Sequence, residues 1–489
     1  MTRIDDAARL GWGTRLAYGL GDFYGGASVT IVSLLFLWFL TDTVGLPPLA
    51  AGGVLFAGRI ADGLVDPALG VLTDRTRSRW GRRAPWFLFL CLPTALVYGA
   101  LWSPAPFAAM GAQALWYGAI YVLSVLVFSG VMTPYAALAP ELTTDYDERT
   151  RLVAVRMTFS ILSGLVAAVV PKLIVDVFER SGNRAAGFSV MGWGAGAIFG
   201  AVWLFLFFYF KSRGLGTPTA ERPGVLEAFR SAFANRSFRL LVLIYLFSFL
   251  GTDLLSAAFV YYLNHWLRSP NLYTPVMAAL LLAAAASLPG HAAVSRRFGK
   301  RTGYLIGGTV RLIALVGLAL LDRGTPPALV IGLAAFVGVG MGTAYAYPWA
   351  MLPETVDVEE AATGRRQEGL YAGVMTFLRQ TSSSLAVLGL GAVLQFSGYV
   401  PGAATQPESA ARAIRAAVAV GPGMLLVLGL AAGAAFPISR SAYRAVASAL
   451  AARRSVVSPG GVQTVSSGEI SEALASCYGS VPVNYHNQG

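Results

Sequence analysis

Apolar runs about as long as a bilayer core is thick recur along the whole 489-residue chain, separated by short segments rich in Gly, Pro and charge. A helix needs about 20 apolar residues to cross a membrane, so this spacing predicts a multi-pass membrane protein. Composition agrees, because 13% of the residues are charged, whereas a soluble protein has about 25%.

The runs predict an all-α integral membrane protein with twelve membrane-spanning helices in two bundles of six. The first six lie near residues 16–40, 48–73, 84–103, 109–139, 153–178 and 186–210. The second six lie near residues 239–263, 274–294, 303–321, 327–350, 370–395 and 413–437. The predicted domains are a first bundle over 1–210, a cytoplasmic linker over 211–238, a second bundle over 239–438, and a polar tail over 439–489 that we expect to lack a fixed fold.

The formal net charge of +12 reflects basic residues in short tracts between the apolar runs. If twelve helices alternate across the membrane, most of these tracts fall on one side. The positive-inside rule explains that arrangement better than nucleic-acid binding does. We therefore expect both termini to be cytoplasmic in the cell (inner) membrane, and the charged start MTRIDDAARLGWGTR predicts no cleavable signal peptide.

Two motifs in the first half are echoed in the second. DRTRSRWGRR is echoed by SRRFGKR, whose glycines Gly81 and Gly299 are 218 residues apart. PYAALAPELTTDYDER is echoed by PWAMLPETVDVEE, whose prolines Pro134 and Pro348 are 214 residues apart. Two unrelated echoes at nearly one offset predict pseudo-symmetric halves, the architecture of transporters built by parallel duplication.

The predicted second helix, which begins the stretch RIADGLVDPALGVLTDRTRSRWGRRAPW, carries two acids and an arginine among apolar residues, and five further arginines follow between Asp74 and Arg83. Arg59, Asp62 and Asp66 are three and four residues apart, so they share one helical face. Because a lone carboxylate in a bilayer costs several kcal/mol, the pair implies a wet path and a compensating cation. Asp62 and Asp66 are candidate oxygen ligands for a monovalent cation such as Na⁺, or for one shared proton. The alternative is a structural ion pair between Arg59 and one aspartate.

Further charged residues lie within the predicted spans. Substrate contact and interhelical pairing are open interpretations for Asp22 and Asp253. We expect Arg156, Arg311 and Arg379 to be buried bases. Arg156 lies only a few residues into the fifth predicted helix, so the alternative is that its side chain extends to the membrane interface.

The basic turns after the second and eighth helices face acidic segments on the same predicted side. Ion pairs between a turn and an acidic segment would hold neighbouring helices in one conformation, whereas the alternative is that the basic residues only set orientation. The candidate gating residues are Arg59, Asp74, Arg75, Arg82, Arg83, Glu141, Arg297, Lys300, Glu354 and Asp357.

Signatures of soluble enzymes are missing from the sequence. His265, His291 and His486 are isolated, there is no Cys/His cluster, and no GxxxxGK[ST] loop is present to hold a nucleotide. We therefore expect no enzymatic activity. We expect the energy for transport to come from an ion gradient or from the substrate's own gradient.

The second-helix stretch resembles the signature of the glycoside/pentoside/hexuronide:cation symporters, the melibiose-permease-like branch of the major facilitator superfamily. YGLGDF, FLTDTVGL, PYAALAPELTTDYDERTRL and DVEEAATGRRQEGLYAG support the resemblance over residues 14–437. The resemblance implies alternating access and a cation site at Asp62 and Asp66. Ser129 matches the family's hydroxyl cation ligand, and Arg156 matches an arginine near its sugar site.

The sequence departs from the family's sugar site. The family's sugar-binding aspartates fall on Gly26 and Met132, and a tryptophan that lines the site falls on Ala136. The expected lysine of the eleventh helix falls on Gln380, next to Arg379. Without those acceptors melibiose is not the expected solute, and an anionic solute such as a hexuronide fits the smaller number of acids beside Arg156. Relatives that carry lysophospholipids also lack the sugar-binding acids, so the resemblance leaves a lipid as an alternative.

Val65 stands where melibiose permeases carry an asparagine before the second aspartate. The change removes one oxygen ligand. Sodium needs several oxygens, whereas a proton needs one carboxylate, so proton coupling is favoured over sodium coupling.

These observations predict a monomeric secondary transporter that moves a glycoside, pentoside or hexuronide with H⁺ or Na⁺ and needs no other cofactor. Asp62, Asp66 and Ser129 are the candidate cation ligands, and Asp22, Arg156, Asp253, Arg379 and Gln380 are the candidate solute ligands. One rival is an uncoupled facilitator or lysophospholipid transporter of the same fold. The other is a transporter-like membrane receptor or scaffold that signals through its tail.

Overall fold

The structure is a computed structural model that describes residues 10–143, 146–211, 233–363, 368–455 and 475–478. Within these residues every regular element is a helix. Most of the predicted linker lies outside them, as do residues 456–474 and 479–489 of the predicted tail. Asp66, Asp74 and Gln380 lie on helices, but their side chains are outside the described part of the protein.

Twelve long helices follow the order of the predicted spans. The first six are α1 (Trp12–Ile31), α2 (Pro48–Arg75), α3 (Ala84–Leu101), α4 (Met110–Ala136), α5 (Tyr146–Arg180) and α6 (Arg184–Phe210). The next six are α7 (Arg236–Tyr261), α8 (Tyr273–Phe298), α9 (Lys300–Ala319), α10 (Pro327–Thr363), α11 (Glu368–Phe396) and α12 (Val420–Ala435). π-helical turns extend α1 and α7, and short helices Leu138–Leu142 and Glu408–Val418 precede α5 and α12.

In the described part of the chain, eleven helices are long and apolar enough to cross a membrane. α2 has 28 residues, which at about 1.5 Å per residue is also sufficient for a crossing. Eleven of the twelve predicted spans are therefore supported by length and composition, and α2 matches the twelfth by length. The prediction of an all-α membrane protein is confirmed.

Two helices differ from the sequence-based boundaries. α10 continues to Thr363, past Pro348 and Pro353, although the sequence predicts an end near residue 350. The polar residues Thr355 and Glu359 of this continuation are buried, and hydrogen bonds satisfy them: the Thr355 hydroxyl donates to the Met351 carbonyl at 3.1 Å, and Glu359 Oε2 accepts from the Tyr371 hydroxyl at 2.7 Å. The predicted twelfth helix is interrupted at Ala419, because the proline at position 422 has no N–H to donate to the carbonyl four residues before it.

The predicted tail also differs from expectation at its start, where residues Arg440–Ser455 form a helix, α13. Val446 and Leu450, four residues apart on one face, are buried in the apolar core of the second half. The Tyr443 hydroxyl donates to Asp357 Oδ2 of α10 at 2.7 Å. Burial of Val446 and Leu450, together with this hydrogen bond, stabilises a helix in a segment whose polar composition does not predict one.

The glycines of the repeated basic turn adopt the same unusual backbone conformation. Gly81 has φ 85° and Gly299 has φ 87°. Side chains with a Cβ atom rarely adopt positive φ, so glycine is required at both turns. The turn conformation therefore explains why this glycine recurs in both halves.

The described chain forms two compact units. The first contains Met1–Ala220 together with Ser256–Ala278 and Ser384–Ala417. Inside it α1 packs along α5, α3 along α6, and α2 along α4. Two segments of the predicted second half join this unit because the ends of α7 and α11 contact the end of α1, for example through the 2.8 Å hydrogen bond between Thr41 and Tyr261.

The second unit contains Glu221–Leu255, Ala279–Ser383 and Val418–Gly489. Inside it α9 packs against both α10 and α12, and α13 packs against α10. Close packing again depends on glycine, since a Cβ atom at Gly338 would lie 2.1 Å from the Leu280 carbonyl oxygen. Small residues of this kind let membrane helices approach closely.

An ion pair between α1 and α5 lies in the first unit, just before the apolar span 151–180. Arg15 Nη2 donates to Glu148 Oε1 and Oε2 at 3.0 and 2.8 Å, and both side chains are buried. The hydrogen bond from Arg15 lowers the pKa of Glu148. The carboxylate is therefore held in its charged form.

We predict that Gly26→Ala destabilises the first unit. A Cβ atom at Gly26 would lie 2.4 Å from the Ser160 carbonyl oxygen, so α1 and α5 must separate, at a cost of about 1–3 kcal/mol. Thermal unfolding in detergent measures the effect. Gly118→Ala is the control, because no atom lies within 4 Å of a Cβ there, and it should be neutral or stabilising. Equal melting temperatures for the two variants would contradict the prediction.

We predict that Glu148→Gln lowers the melting temperature at pH 7, and that the difference from the parent chain disappears in acid. Because the folded-state pKa is lowered, the stabilisation is present above the unfolded value of about 4.3 and is lost as pH falls through the folded value. Melting curves from pH 7 to pH 3 measure it. Glu408→Gln is the control, since its pair with Arg412 is exposed. A difference that persists in acid would contradict this account.

Candidate cation and solute sites

Asp62 of α2 is a buried carboxylate with two partners in the first unit. It is 2% exposed. Ser129 of α4 donates its hydroxyl to Asp62 Oδ1 at 2.7 Å, and Arg59 Nη1 lies 3.5 Å from Asp62 Oδ2. The structure therefore brings together Asp62 and Ser129, as the family resemblance implies, and also forms the ion pair that was the alternative interpretation of Arg59.

A small cavity of about 40 Å³ lies beside this carboxylate. Arg59, Asp62 and Ser124 contribute polar lining, and Tyr24 and Tyr121 contribute aromatic rings. A water molecule needs roughly 10–15 Å³ of such space, so an ion with a water molecule fits. Asp66 lies one turn further along α2, but its side chain lies outside the described residues.

Asp22 and Arg156 form an interhelical ion pair between α1 and α5. Arg156 Nη2 lies 3.2 Å from Asp22 Oδ1, and the guanidinium lies over the ring of Tyr135 at 5.2 Å. The Tyr135 hydroxyl donates to the Tyr18 carbonyl at 2.6 Å, which fixes the ring. Arg156 is therefore paired inside the first unit.

Asp253 and Arg379 repeat this arrangement between α7 and α11 in the second unit. Arg379 Nη1 and Nη2 donate to the two carboxylate oxygens of Asp253 at 2.6 and 3.0 Å. The guanidinium also lies 4.3 Å from the ring centre of Phe249. In each predicted half, an acid on the first helix thus pairs with an arginine on the fifth.

The missing sugar-binding aspartate has a structural explanation. Gly26 faces α5 so closely that a Cβ atom would lie 2.4 Å from both the Ser160 carbonyl oxygen and the Ser163 hydroxyl. An aspartate at this position cannot be accommodated without moving α1. The departure from the family's pattern is therefore built into the packing of the helices.

The repeated motifs contact each other within each half. Arg82 Nη2 and Arg83 Nε lie 3.2 and 3.0 Å from Glu141 Oε1 in the first unit. In the second unit Lys300 Nζ lies 2.8 Å from Glu354 Oε1. Each basic turn therefore has a charged partner in the acidic segment of the same half.

The other candidate gating residues are placed differently. Asp357 accepts a hydrogen bond from the Tyr443 hydroxyl of α13, and the guanidinium of Arg297 lies over the ring of Phe298. Arg75 ends α2 and is exposed. The side chain of Asp74 lies outside the described residues. Among the described residues, the predicted pairing of a basic turn with an acidic segment is seen at Glu141 and Glu354.

Sequence reasoning missed a polar cluster in the first unit, the Asp42 cluster of Thr41, Asp42, Tyr261, His265 and Tyr399. Asp42 accepts hydrogen bonds from the hydroxyls of Tyr399 and Thr41, each at 2.6 Å, and His265 Nε2 lies 3.7 Å from it. Burial, followed by the charge of Asp42, raises the pKa of Tyr399, so Tyr399 stays protonated and donates. An acid at the end of an apolar run was the one available signal.

The surroundings of Arg311 on α9 were also missed. Arg311 is 1% exposed, and its Nη1 donates to the Ser248 carbonyl at 3.3 Å. Among the described residues its Nε and Nη2 atoms have no hydrogen-bond partner. The second unit therefore holds a buried guanidinium whose donors are only partly satisfied by the protein.

Comparison with known proteins agrees with this architecture. The chain matches the family described as MFS/sugar transport protein over residues 17–440. It is similar to the solved structure of a D-xylose–proton symporter, with a TM-score of 0.62 and 13% identity over 87% of this chain and 97% of that chain. That likeness supports the fold.

Three relatives indicate the range of the family. The chain is 32% identical to an uncharacterized symporter of Synechocystis sp., covering 93% of this chain and 99% of that protein. It is 26% identical to sodium-dependent lysophosphatidylcholine symporter 1-A of Danio rerio, with 82% and 81% covered. It is 25% identical to the isoprimeverose transporter of Lactiplantibacillus pentosus, with 80% and 81% covered. The chain therefore belongs to the MFS/sugar transport protein family and is a multi-pass membrane transporter.

Proposed function

We propose that this transporter is a cation-coupled symporter that moves a glycoside, pentoside or hexuronide by alternating access. The observation that carries the proposal is the buried Asp62 carboxylate, hydrogen-bonded by Ser129 at 2.7 Å and opening on a small cavity. An intramembrane carboxylate beside a cavity is a functional site by default. The names of the relatives as symporters support the same conclusion.

Arg59 acts in this proposal as the counter-charge of Asp62 before a cation binds. A buried carboxylate without a positive partner is strongly destabilised, and the Arg59 guanidinium at 3.5 Å supplies that partner. When a cation binds Asp62, two positive charges meet at one carboxylate and Arg59 is displaced. Cation binding thus changes the interactions of α2, and by linkage substrate binding changes cation affinity equally.

A proton is the coupling ion that the residues favour. Asp62 and the Ser129 hydroxyl supply oxygens, Asp66 is the further candidate on the same face of α2, and Val65 supplies none. A proton needs one carboxylate, whereas Na⁺ needs several oxygen ligands. Na⁺ remains the second candidate ion in the experiments below.

The two acid–arginine pairs are the proposed solute ligands. Asp22 with Arg156 and Asp253 with Arg379 combine hydrogen-bond acceptors with fixed cations. Such pairs suit a solute that carries both hydroxyls and a carboxylate, because each pair can exchange one internal partner for the solute. A hexuronide has this chemistry.

We place the basic turns and both termini on the cytoplasmic side of the inner membrane, by the positive-inside rule. The pairs at Glu141 and Glu354 then lie at the cytoplasmic ends of the two halves. We propose that these ion pairs hold neighbouring helices together in one conformation of the transporter and break in the other. We propose that one chain carries out this cycle as a monomer.

We predict that Asp62→Asn and Asp66→Asn each abolish gradient-driven accumulation of the solute in proteoliposomes, by more than about tenfold, because the cation loses its ligand. The solute is first chosen by binding against a panel of sugars, uronides and lysophospholipids, with and without Na⁺ and at two pH values. Asp322→Asn removes an exposed carboxylate and is the control.

Accumulation that ignores both pH and Na⁺ gradients, and that survives both variants, would identify an uncoupled facilitator. Preferential binding of lysophospholipids would favour the lipid transporter instead. A chain that binds a solute but never moves it would favour the receptor.

We predict that Arg59→Gln raises the apparent affinity for the coupling cation about tenfold, because a competing charge 3.5 Å from the carboxylate is removed. For a proton, half-maximal uptake moves about one pH unit towards alkaline values; for Na⁺, the half-saturating concentration falls. Arg323→Gln, in an exposed loop, is the control. An unchanged cation dependence would show that Arg59 has only a structural role.

A further inference from the structure

A large cavity in the second unit lies where α8 ends and α9 begins, beside the start of α13. Its volume is about 840 Å³. Five basic side chains line it together with the carboxylate of Glu354. These basic residues are Arg296, Lys300, Arg301, Arg440 and Arg444. They come from separate segments of the chain that the fold brings together.

Among the described residues, a carboxylate pairs with one of these five positive charges. Lys300 pairs with Glu354 at 2.8 Å. Arg301 Nη2 donates to the Ala434 carbonyl, and Arg440 Nη1 donates to the Arg297 carbonyl at 3.5 Å. In the described part of the chain no carboxylate pairs with Arg296, Arg301, Arg440 or Arg444. The cavity therefore has an excess of positive charge that favours an anion.

The cavity also has an apolar side. Leu305 and Ile438 contribute to its lining, and Phe298 lines it while remaining 52% exposed. Phe298 ends α8, one of the membrane-crossing helices. The cavity therefore lies where the apolar part of the helix ends and the basic residues begin, so a molecule with a charged head and apolar chains fits both sides.

The size of the cavity distinguishes such a molecule from a small ion. A volume of about 840 Å³ is within the roughly 300–1,000 Å³ range of organic ligand sites. Inorganic phosphate would leave most of it unfilled. Basic pockets at the cytoplasmic ends of membrane helices are suited to anionic lipid headgroups.

We propose that this cavity binds the phosphate headgroup of an anionic phospholipid. The guanidinium groups of Arg440 and Arg444 bind the phosphate oxygens from α13, and Arg296 and Arg301 bind them from α8 and α9. Guanidinium groups match phosphate geometry well. A bound lipid would join α13 to the ends of α8 and α9, alongside the contact between Tyr443 and Asp357.

The test is thermal stability of the full chain in detergent, titrated with phosphatidylglycerol, phosphatidylethanolamine or inorganic phosphate. The parent chain should be stabilised by phosphatidylglycerol more than by the other two. The double variant Arg440→Ala/Arg444→Ala should bind phosphatidylglycerol about tenfold to thirtyfold more weakly, because two basic contacts are lost. The control variant Arg77→Ala/Arg79→Ala removes two exposed arginines from the turn between α2 and α3, which corresponds to the turn between α8 and α9. It should bind phosphatidylglycerol as the parent chain does.

A second pair of variants, Arg296→Ala and Arg444→Glu, tests the site from two different helices and should also weaken binding. If the Arg440/Arg444 variant keeps the parent's response to phosphatidylglycerol, the proposal is wrong. If inorganic phosphate gives the full stabilisation, the ligand is a free anion and the lipid assignment is wrong. Because none of these residues belongs to the proposed cation or solute sites, this result is independent of whether transport is coupled.

Discussion

A charge in the hydrocarbon core of a membrane must be compensated, and this constraint organises the described interior of the protein. Asp62 is compensated by Arg59, and Asp22 is compensated by Arg156. These pairs cost desolvation energy and are weak evidence for stability. In the proposed mechanism they are sites where a ligand replaces one partner.

The repeated halves apply this constraint twice. Each half has a glycine turn with positive φ, a basic residue beside it, and a glutamate directly after a proline that pairs with that basic residue. Each half also has an acid on its first helix paired with an arginine on its fifth. Within the described residues, the first half adds the buried Asp62 with its hydroxyl partner on α4. The halves therefore share the glycine turn and both kinds of ion pair, and the proposed cation site is the feature by which the first half differs from the second.

Much of this could be predicted from sequence because the signals are local. Helices longer than a bilayer appear as apolar runs, and residues three or four apart on a helix share a face, which placed Arg59 beside Asp62. The partner of Asp62 on α4 came from the family resemblance, not from spacing. The extension of α10 to Thr363 was missed because its buried polar residues are satisfied by tertiary hydrogen bonds, such as that from Tyr371 to Glu359, which the sequence does not reveal.

The Asp42 cluster could not have been predicted, because Asp42, His265 and Tyr399 are brought together only by the fold. Its composition has a consequence for any motion that separates the ends of α1, α7 and α11. Separating apolar surfaces exposes them to water without compensation, whereas a carboxylate, an imidazole and phenols regain hydrogen bonds from water as they part. The contacts of the Asp42 cluster therefore break at a lower cost than apolar contacts of the same area.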